Sequence, residues 1–122
     1  MNRVIHFELG AQDPQRAADF YHNLFGWEIK KWDGPAEYWL VTTGAQNEPG
    51  INGGILRHKD GAPRTINTVA VESVDDAVAK ALGLGAQLGL PKMAIPGVGY
   101  QAYCLDPEGV LFGVHQFDPA AK

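Results

Sequence analysis

The spacing of apolar residues divides the first half of the chain into a strand, a helix and further strands. Residues 3–9 alternate with a period of two, which is typical of a β-strand. One face of this strand is apolar and suits packing under a helix, with Ile5, Phe7 and Leu9. The other face is mixed and suits a solvated surface or the wall of a cavity, with Val4, His6 and Glu8.

A helix is predicted directly after this strand. Asp13 is a favourable N-cap, and Pro14 follows at a position where a missing N–H does no harm. The three-to-four spacing of the next apolar residues predicts a buried helix face formed by Ala17, Phe20, Tyr21 and Leu24. Gly26 ends the helix. Three strands follow, at residues 27–32, 37–43 and 52–57.

The second half repeats this order. A strand is predicted at residues 66–72 and a helix at 74–82, begun by Ser73 and Asp76 as a capping box. Its predicted buried face is formed by Val74, Ala77, Val78, Ala81 and Leu82. Strands are then predicted at residues 88–93, 100–105 and 110–117, the last two joined by the turn Asp106-Pro107-Glu108-Gly109.

The two halves match at a nearly constant offset, which indicates a duplicated β-α-β-β-β module. Asp13 and Ser73 start the two helices 60 residues apart, and Gly54 and Gly113 lie 59 apart in the last strands. We predict a single α+β domain with module 1 at about residues 1–58, a linker at 59–64 and module 2 at about 65–118. The two sheets are expected to form a cupped, mixed β-sheet cleft with the helices outside.

Composition narrows the class of partner. The chain has 122 residues, 45% of them hydrophobic, and a net charge of −4 without a basic run, which argues against nucleic acid. No apolar stretch approaches the roughly 20 residues of a membrane span. The single cysteine, Cys104, excludes an internal disulfide and is expected to be a buried, inert thiol. We therefore expect a cytoplasmic protein that does not bind membranes.

The sequence resembles the vicinal oxygen chelate superfamily, which includes glyoxalases, bleomycin-resistance proteins and extradiol dioxygenases. The resemblance depends on His6 followed by Asp13-Pro14 and the helix RAADFYHNLFGW at 16–27. The turn DPEG at 106–109, with Phe112-Gly113, and the duplicated module order extend it over nearly the whole chain. Within the superfamily the chain is most similar to small glyoxalase-like members.

The resemblance implies a divalent metal in the cleft, held by residues of the first and last strand of each module. Carried over to this chain, these positions are His6, Ile66 (or Asn67 with a shift of one), Gly54 and Gly113. Only histidine is retained as a ligand type, so we predict that the usual metal site is missing and that no cofactor is needed. Glycine at 54 and 113 is expected to widen the cleft floor and leave room for an organic ligand.

Two chemical alternatives remain for the polar face. His6, Glu8 and His115 approximate the two-histidine, one-carboxylate set of non-haem iron, which would make the protein a metal-dependent lyase or dioxygenase. Alternatively His6 acts by itself as a general base near neutral pH. His22 and His58 are expected to be surface residues.

The leading functional prediction is a glyoxalase-like protein that binds a small organic molecule, either to sequester it or to transform it. The predicted ligand-binding residues are His6, Glu8, Trp39, Gly54, Tyr100, Tyr103, Gly113 and His115. The aromatic members would stack on a flat ligand; packing in the core or in a dimer interface is the alternative for each of them. Similar proteins commonly dimerise, so a homodimer is expected; a domain that serves only for association is a third alternative.

Overall fold

The computed structural model describes residues 1–58, 60 and 63–122, and these residues form eight strands and two helices. The first series consists of β1 (Val4–Ala11), α1 (Pro14–Phe25), β2 (Glu28–Lys31), β3 (Tyr38–Thr42) and β4 (Asn52–Arg57). The second consists of β5 (Arg64–Ala70), α2 (Val74–Gly83), β6 (Gln87–Ile95), β7 (Gly99–Leu105) and β8 (Leu111–Phe117). The predicted α+β class and the repeated β-α-β-β-β order are confirmed. Part of the predicted linker, residues 59, 61 and 62, lies outside the described residues.

The elements form two compact units, residues 6–66 and residues 1–5 with 67–122. The sequence pattern places residues 1–5 with the first module, whereas the structure groups them with the second unit. Backbone hydrogen bonds explain this grouping. The N–H of Ala70 donates to the carbonyl of Arg3 at 2.9 Å. The N–H of Asn2 in turn donates to the carbonyl of Ala70 at 2.6 Å.

Each unit contains a mixed sheet with the same pairing of strands. In the first unit β2 pairs with β3 and β3 with β4, both antiparallel, and β4 pairs with β1 in parallel. In the second unit β6 pairs with β7 and β7 with β8, both antiparallel, and β8 pairs with β5 in parallel. Each parallel pair is joined through the helix and strands between its members, as parallel strands require a long crossover.

The strand register makes residues of the two units equivalent one by one. Gly54 pairs with Glu8 in the first unit, and Gly113 pairs with Thr68 in the second. Glu8 is therefore equivalent to Thr68, and two residues earlier His6 is equivalent to Ile66. The register thus decides between Ile66 and Asn67, which the sequence alone leaves open.

A helix covers one face of each sheet, and the two apolar cores lie between helix and sheet. In the first core Ala18 of α1 packs with Trp39, Val41 and Ile55. In the second, Val74 of α2 packs with Val71, Ala102 and Val114. The predicted caps are present, since Asp13 accepts from the N–H of Arg16 and Ser73 from that of Asp76. No helix among the residues described is long and apolar enough to cross a membrane.

The predicted buried face of α1 is wrong for two of its four members, Phe20 and Leu24. Phe20 and Leu24 are 58% and 57% exposed, whereas Pro14 and Ala18 are buried. Small residues allow the helix to approach the sheet closely, so the contact stripe is rotated toward them. In α2, Leu82 is also exposed rather than buried.

Strand β6 is the outermost strand of the second sheet, and its pairing with β7 is irregular. The register shifts between Leu88 and Leu90 and again between Leu90 and Met93. Pro91 lies within the second shift and lacks a backbone N–H, so the strand cannot form an uninterrupted ladder there.

Candidate functional site

Strand β1 presents His6 and Glu8 on the sheet face opposite α1. Phe7 and Leu9 point to the other side and pack against the first core, so the predicted alternation is confirmed. His6 is half-buried, and Glu8 is only 5% exposed. The first unit therefore has an imidazole and a carboxylate two residues apart on one face.

His6 is hydrogen-bonded to Tyr38, a residue that the sequence analysis did not single out. Nε2 of His6 and Oη of Tyr38 lie 2.8 Å apart. Tyr38 begins β3 and pairs with Leu56 of β4, which directs its ring along the face that carries His6. The signal available in the sequence was alternation, because Tyr38 lies on the face opposite the core residue Trp39.

Glycine at position 54 is what allows the tyrosine to reach the histidine. A Cβ atom at Gly54 would overlap the hydroxyl and ring carbons of Tyr38. The space next to Gly54 is therefore occupied by the phenol, and it is not the open floor that the sequence suggested. The absent side chain makes room for a residue of the same chain.

Burial lowers the pKa of His6 below its ordinary value of 6.5, and the negative charge of Glu8 opposes this by raising it. Burial is the larger effect because it disfavours the charged imidazolium. His6 is consequently a neutral base near pH 7. Glu8 is placed to stabilise the imidazolium after a proton has been taken up.

The lowered pKa of His6 predicts a pH-dependent stability. Between the lowered folded value and 6.5 the unfolded chain binds a proton that the folded chain does not, so the free energy of unfolding falls as the pH falls below about 6.5. Urea unfolding at a series of pH values will show this loss, and His6→Gln will remove the part that His6 causes. His22→Gln is the matched control, since His22 is exposed; an equal effect of both variants would contradict the assignment.

The second unit carries a different polar group on the corresponding sheet face. Nδ1 of His115 lies 2.8 Å from Oε1 of Gln101, and Nε2 of Gln101 donates to Oγ1 of Thr68 at 3.4 Å. All three side chains are buried, with 2–7% exposed. Thr68 and Gln101 were missed by the sequence analysis because neutral polar residues in strands carry no distinctive pattern.

Two of the predicted ligand-binding aromatics belong to the cores instead. Trp39 is buried under α1, where its indole N–H donates to Oε1 of Gln15 at 3.1 Å. Tyr100 packs against the second core, with the ammonium of Lys92 over its ring at 4.6 Å. Along their strands, both residues alternate with residues of the polar face, and their side chains therefore point to the opposite face. Tyr103 has the opposite parity and lies beside Gly113.

The remaining candidates have simple environments. His22 is exposed, as predicted, and its Nδ1 lies 2.9 Å from the carbonyl of Trp27. His58 is half-buried rather than a plain surface residue, because its ring packs over Gly10. Cys104 is buried, as predicted, and burial raises the pKa of its thiol, which keeps it protonated and unreactive.

Three of the four residues at the superfamily's metal-ligand positions do not fit a metal, and His6 is the exception. Ile66 is buried and has no donor atom. The place of a side chain at Gly54 is filled by Tyr38, and that at Gly113 is approached by Gln101 and Thr68. Among residues 1–58, 60 and 63–122, no group of three or more His, Cys, Asp or Glu side chains is arranged to hold an ion.

A surface pocket of about 290 Å³ occurs in the first unit away from His6. It is lined by Gly26, Glu28, Thr42, Thr43, Gly44 and Ala45. None of the predicted site residues contributes to it.

The duplicated β-α-β-β-β fold, with a polar sheet face opposite the helix in each unit, defines a protein of the vicinal oxygen chelate class. A family model described as "Glyoxalase-like domain" matches residues 5–115. The chain belongs to this family. None of the curated proteins matches it.

Solved structures support the same fold. Methylmalonyl-CoA epimerase from Mycobacterium tuberculosis has 14% sequence identity and a TM-score of 0.70, over 95% of this chain and 88% of that one. A methylmalonyl-CoA epimerase in complex with methylmalonyl-CoA and NH4+ has 14% identity and a TM-score of 0.71, over 100% and 99%. The Mn(II)-bound glyoxalase from Novosphingobium aromaticivorans has 22% identity and a TM-score of 0.67, over 99% of this chain and 41% of that one.

Proposed function

We propose that the first unit binds a small organic molecule at the His6–Tyr38 pair and transfers a proton to or from it. The observation that carries the proposal is the 2.8 Å hydrogen bond between Nε2 of His6 and Oη of Tyr38. It joins a neutral, partly desolvated base to a phenol that can face a ligand. Such a pair is within the distance that general acid–base catalysis requires.

The proposed step moves a proton through Tyr38. The ligand's bond to hydrogen breaks as the hydrogen passes to Oη of Tyr38, and the phenolic proton passes to Nε2 of His6. The electron pair stays on the ligand, and Glu8 stabilises the imidazolium that forms. The reverse movement returns the proton. His6 must be neutral to begin, so its lowered pKa keeps the pair competent at neutral pH.

A carbon acid next to a carbonyl group is the ligand class that suits this chemistry. Removal of its proton leaves a delocalised anion, which a weak base and a hydrogen-bond donor can both assist. Methylmalonyl-CoA, which is bound in one of the neighbouring structures, belongs to this class. We use it as the probe and leave the physiological ligand to be identified.

Binding is tested by nuclear magnetic resonance on the whole chain. Methylmalonyl-CoA is expected to shift the imidazole signals of His6 and the ring signals of Tyr38, and to raise the melting temperature. His22 is the internal control and its signals are expected to stay unchanged. A titration in which His6 and Tyr38 do not respond would overturn the proposed site.

The alternative is a metal-dependent lyase or dioxygenase that uses His6, Glu8 and His115. A Mn(II)-bound glyoxalase among the structural neighbours is the observation that favours it. We propose the metal-free form because the donor set at the superfamily's positions does not fit an ion. Elemental analysis of gently purified protein is expected to find substoichiometric metal. Stoichiometric manganese, iron, zinc or nickel, lost in His6→Ala, would establish the alternative.

The finer predictions from the sequence remain proposals. They are sequestration of the ligand in the manner of a bleomycin-resistance protein, a homodimer and a cytoplasmic location. Sedimentation tests the second of these directly. Sequestration and proton transfer are distinguished by hydrogen exchange, because a sequestering protein would bind the probe without exchanging its hydrogen.

A further inference from the structure

The surface pocket of the first unit lies where β2 and β3 diverge, and we call it the hairpin pocket. Its volume is about 290 Å³, and its lining residues are Gly26, Glu28, Thr42, Thr43, Gly44 and Ala45. Glu28 and Thr42 pair at the ends of the two strands, and the other lining residues lie beyond those ends. Because β3 and β4 separate β2 from β1, Glu28 lies roughly 14 Å from His6 across the sheet. The hairpin pocket is therefore separate from the His6–Tyr38 pair.

Several hydrogen-bond donors of the pocket wall are used inside the fold. The backbone N–H of Thr43 donates to Oδ1 of Asn52 at 2.9 Å, and the hydroxyl of Thr43 donates to the carbonyl of Ile51 at 2.7 Å. The backbone N–H of Ala45 donates to Oε1 of Glu48 at 3.1 Å. These donors are therefore not available to a ligand.

The acceptors of the pocket wall remain open. Within the part of the chain that the structure describes, the Glu28 carboxylate and the Thr42 hydroxyl have no hydrogen-bond or ion-pair partner. The two side chains lie on one face of the hairpin, because their residues pair directly. None of the described lining residues is basic. The pocket therefore carries a negative charge that no lining side chain neutralises.

The end of α1 adds to the negative potential of the hairpin pocket. Gly26 closes the helix with a φ of 75°, and its N–H donates to the carbonyl of His22 at 2.8 Å. The last carbonyls of a helix lack intrahelical partners and carry a partial negative charge, which favours a cation nearby. Gly26 lines the pocket, so this end of the helix lies against it.

We propose that the hairpin pocket binds the primary ammonium group of a small organic cation. The ammonium N–H groups donate to the carboxylate of Glu28 and to the hydroxyl oxygen of Thr42. A quaternary ammonium is disfavoured, because it has no N–H to donate and the described lining residues include no aromatic ring for a cation–π contact. The volume is at the lower end of the range for ligand sites, which suits a short-chain amine. The site does not depend on proton transfer by His6.

The ligand class is tested with n-butylammonium and tetramethylammonium chlorides at pH 7 and equal ionic strength. In a titration of the 15N-labelled whole chain, n-butylammonium is expected to shift the backbone amide signals of Glu28, Thr42 and Gly44 until they saturate. Tetramethylammonium is expected to leave them in place. The imidazole signals of His6 are expected not to respond, which distinguishes this site from the proposed proton-transfer site. Equal shifts with both cations, or n-butylammonium shifts confined to other residues, would overturn the proposal.

Substitution of Glu28 separates the charge of the hairpin pocket from its shape. Glu28→Gln is expected to weaken n-butylammonium binding about fivefold, the effect of losing an exposed ion pair. Thr42→Val is expected to weaken it about threefold through the loss of one acceptor. Glu108→Gln is the matched control, because Glu108 is an exposed carboxylate of the second unit, and it is expected to retain the wild-type affinity. Wild-type affinity in Glu28→Gln, or an equal loss in Glu108→Gln, would contradict the site.

Discussion

Gly99→Ala is expected to lower the free energy of unfolding by about 3 kcal/mol. A Cβ atom at this position would overlap the carbonyl oxygen of Gln116 and lie 3.1 Å from Nε2 of His115. The carbonyl belongs to β8, which is held by its pairing with β7 from Gly99 to Leu105. It cannot retreat without disturbing that ladder, so the clash costs more than a shift of a flexible side chain would. Urea denaturation of both proteins gives the difference.

Gly83→Ala is the matched control for this experiment. Gly83 ends α2, and no atom lies within 4 Å of the place where its Cβ would be. Alanine restricts the unfolded chain and favours the helix, so this variant is expected to be as stable as the wild type or about 0.5–1 kcal/mol more stable. Similar losses in both variants would show that the close contact at Gly99 is not the cause.

His6→Gln is expected to slow proton transfer by roughly 100-fold to 10,000-fold, the range that a positioned acid–base group contributes. The measurement is incorporation of solvent deuterium into methylmalonyl-CoA, followed by mass spectrometry in D2O. Glutamine has no basic nitrogen, so it cannot accept the proton that Tyr38 releases. The wild-type rate is expected to rise with pH through the lowered pKa of His6 and then to stay level.

Tyr38→Phe tests the relay apart from the fold. Phenylalanine keeps the ring that fills the space beside Gly54 and removes only the hydroxyl. The rate is expected to fall while the melting temperature changes little. His22→Gln is expected to retain the wild-type rate. Full activity in Tyr38→Phe would exclude the phenol from the proton path, and full activity in His6→Gln would exclude the imidazole.

The sequence predicts the elements and their duplication well because these depend on local signals. The caps at Asp13 and Ser73 and the glycine at 26 set the helix ends where they are found. Period-two alternation places His6 and Glu8 opposite the core. Helix orientation is a tertiary property, however, and Phe20 was assigned to the buried side because size and hydrophobicity do not reveal how closely a helix approaches its sheet.

The candidate site was only partly predictable for a related reason. Alternation divides a strand's residues into two faces without showing which face the helix covers. Trp39 and Tyr100 were candidates because the resemblance places their strands around the cleft, and the structure decides for the alternative of core packing. Tyr38 and Gln101 became visible only when pairing set them beside Gly54 and Gly113. Glycine in the sequence signals available space, and only the packed chain shows which atoms enter it.

The broken ladder of β6 has a consequence for behaviour in concentrated solution. An exposed edge strand with apolar side chains would ordinarily pair with the edge strand of another molecule and start fibril growth. The apolar side chains of β6 are Leu88, Leu90 and Met93. Pro91 withholds one donor, and the shifted register prevents a neighbour from matching more than a short run of amides. The irregularity therefore protects the folded protein from self-templated aggregation while leaving the apolar side chains of this strand accessible.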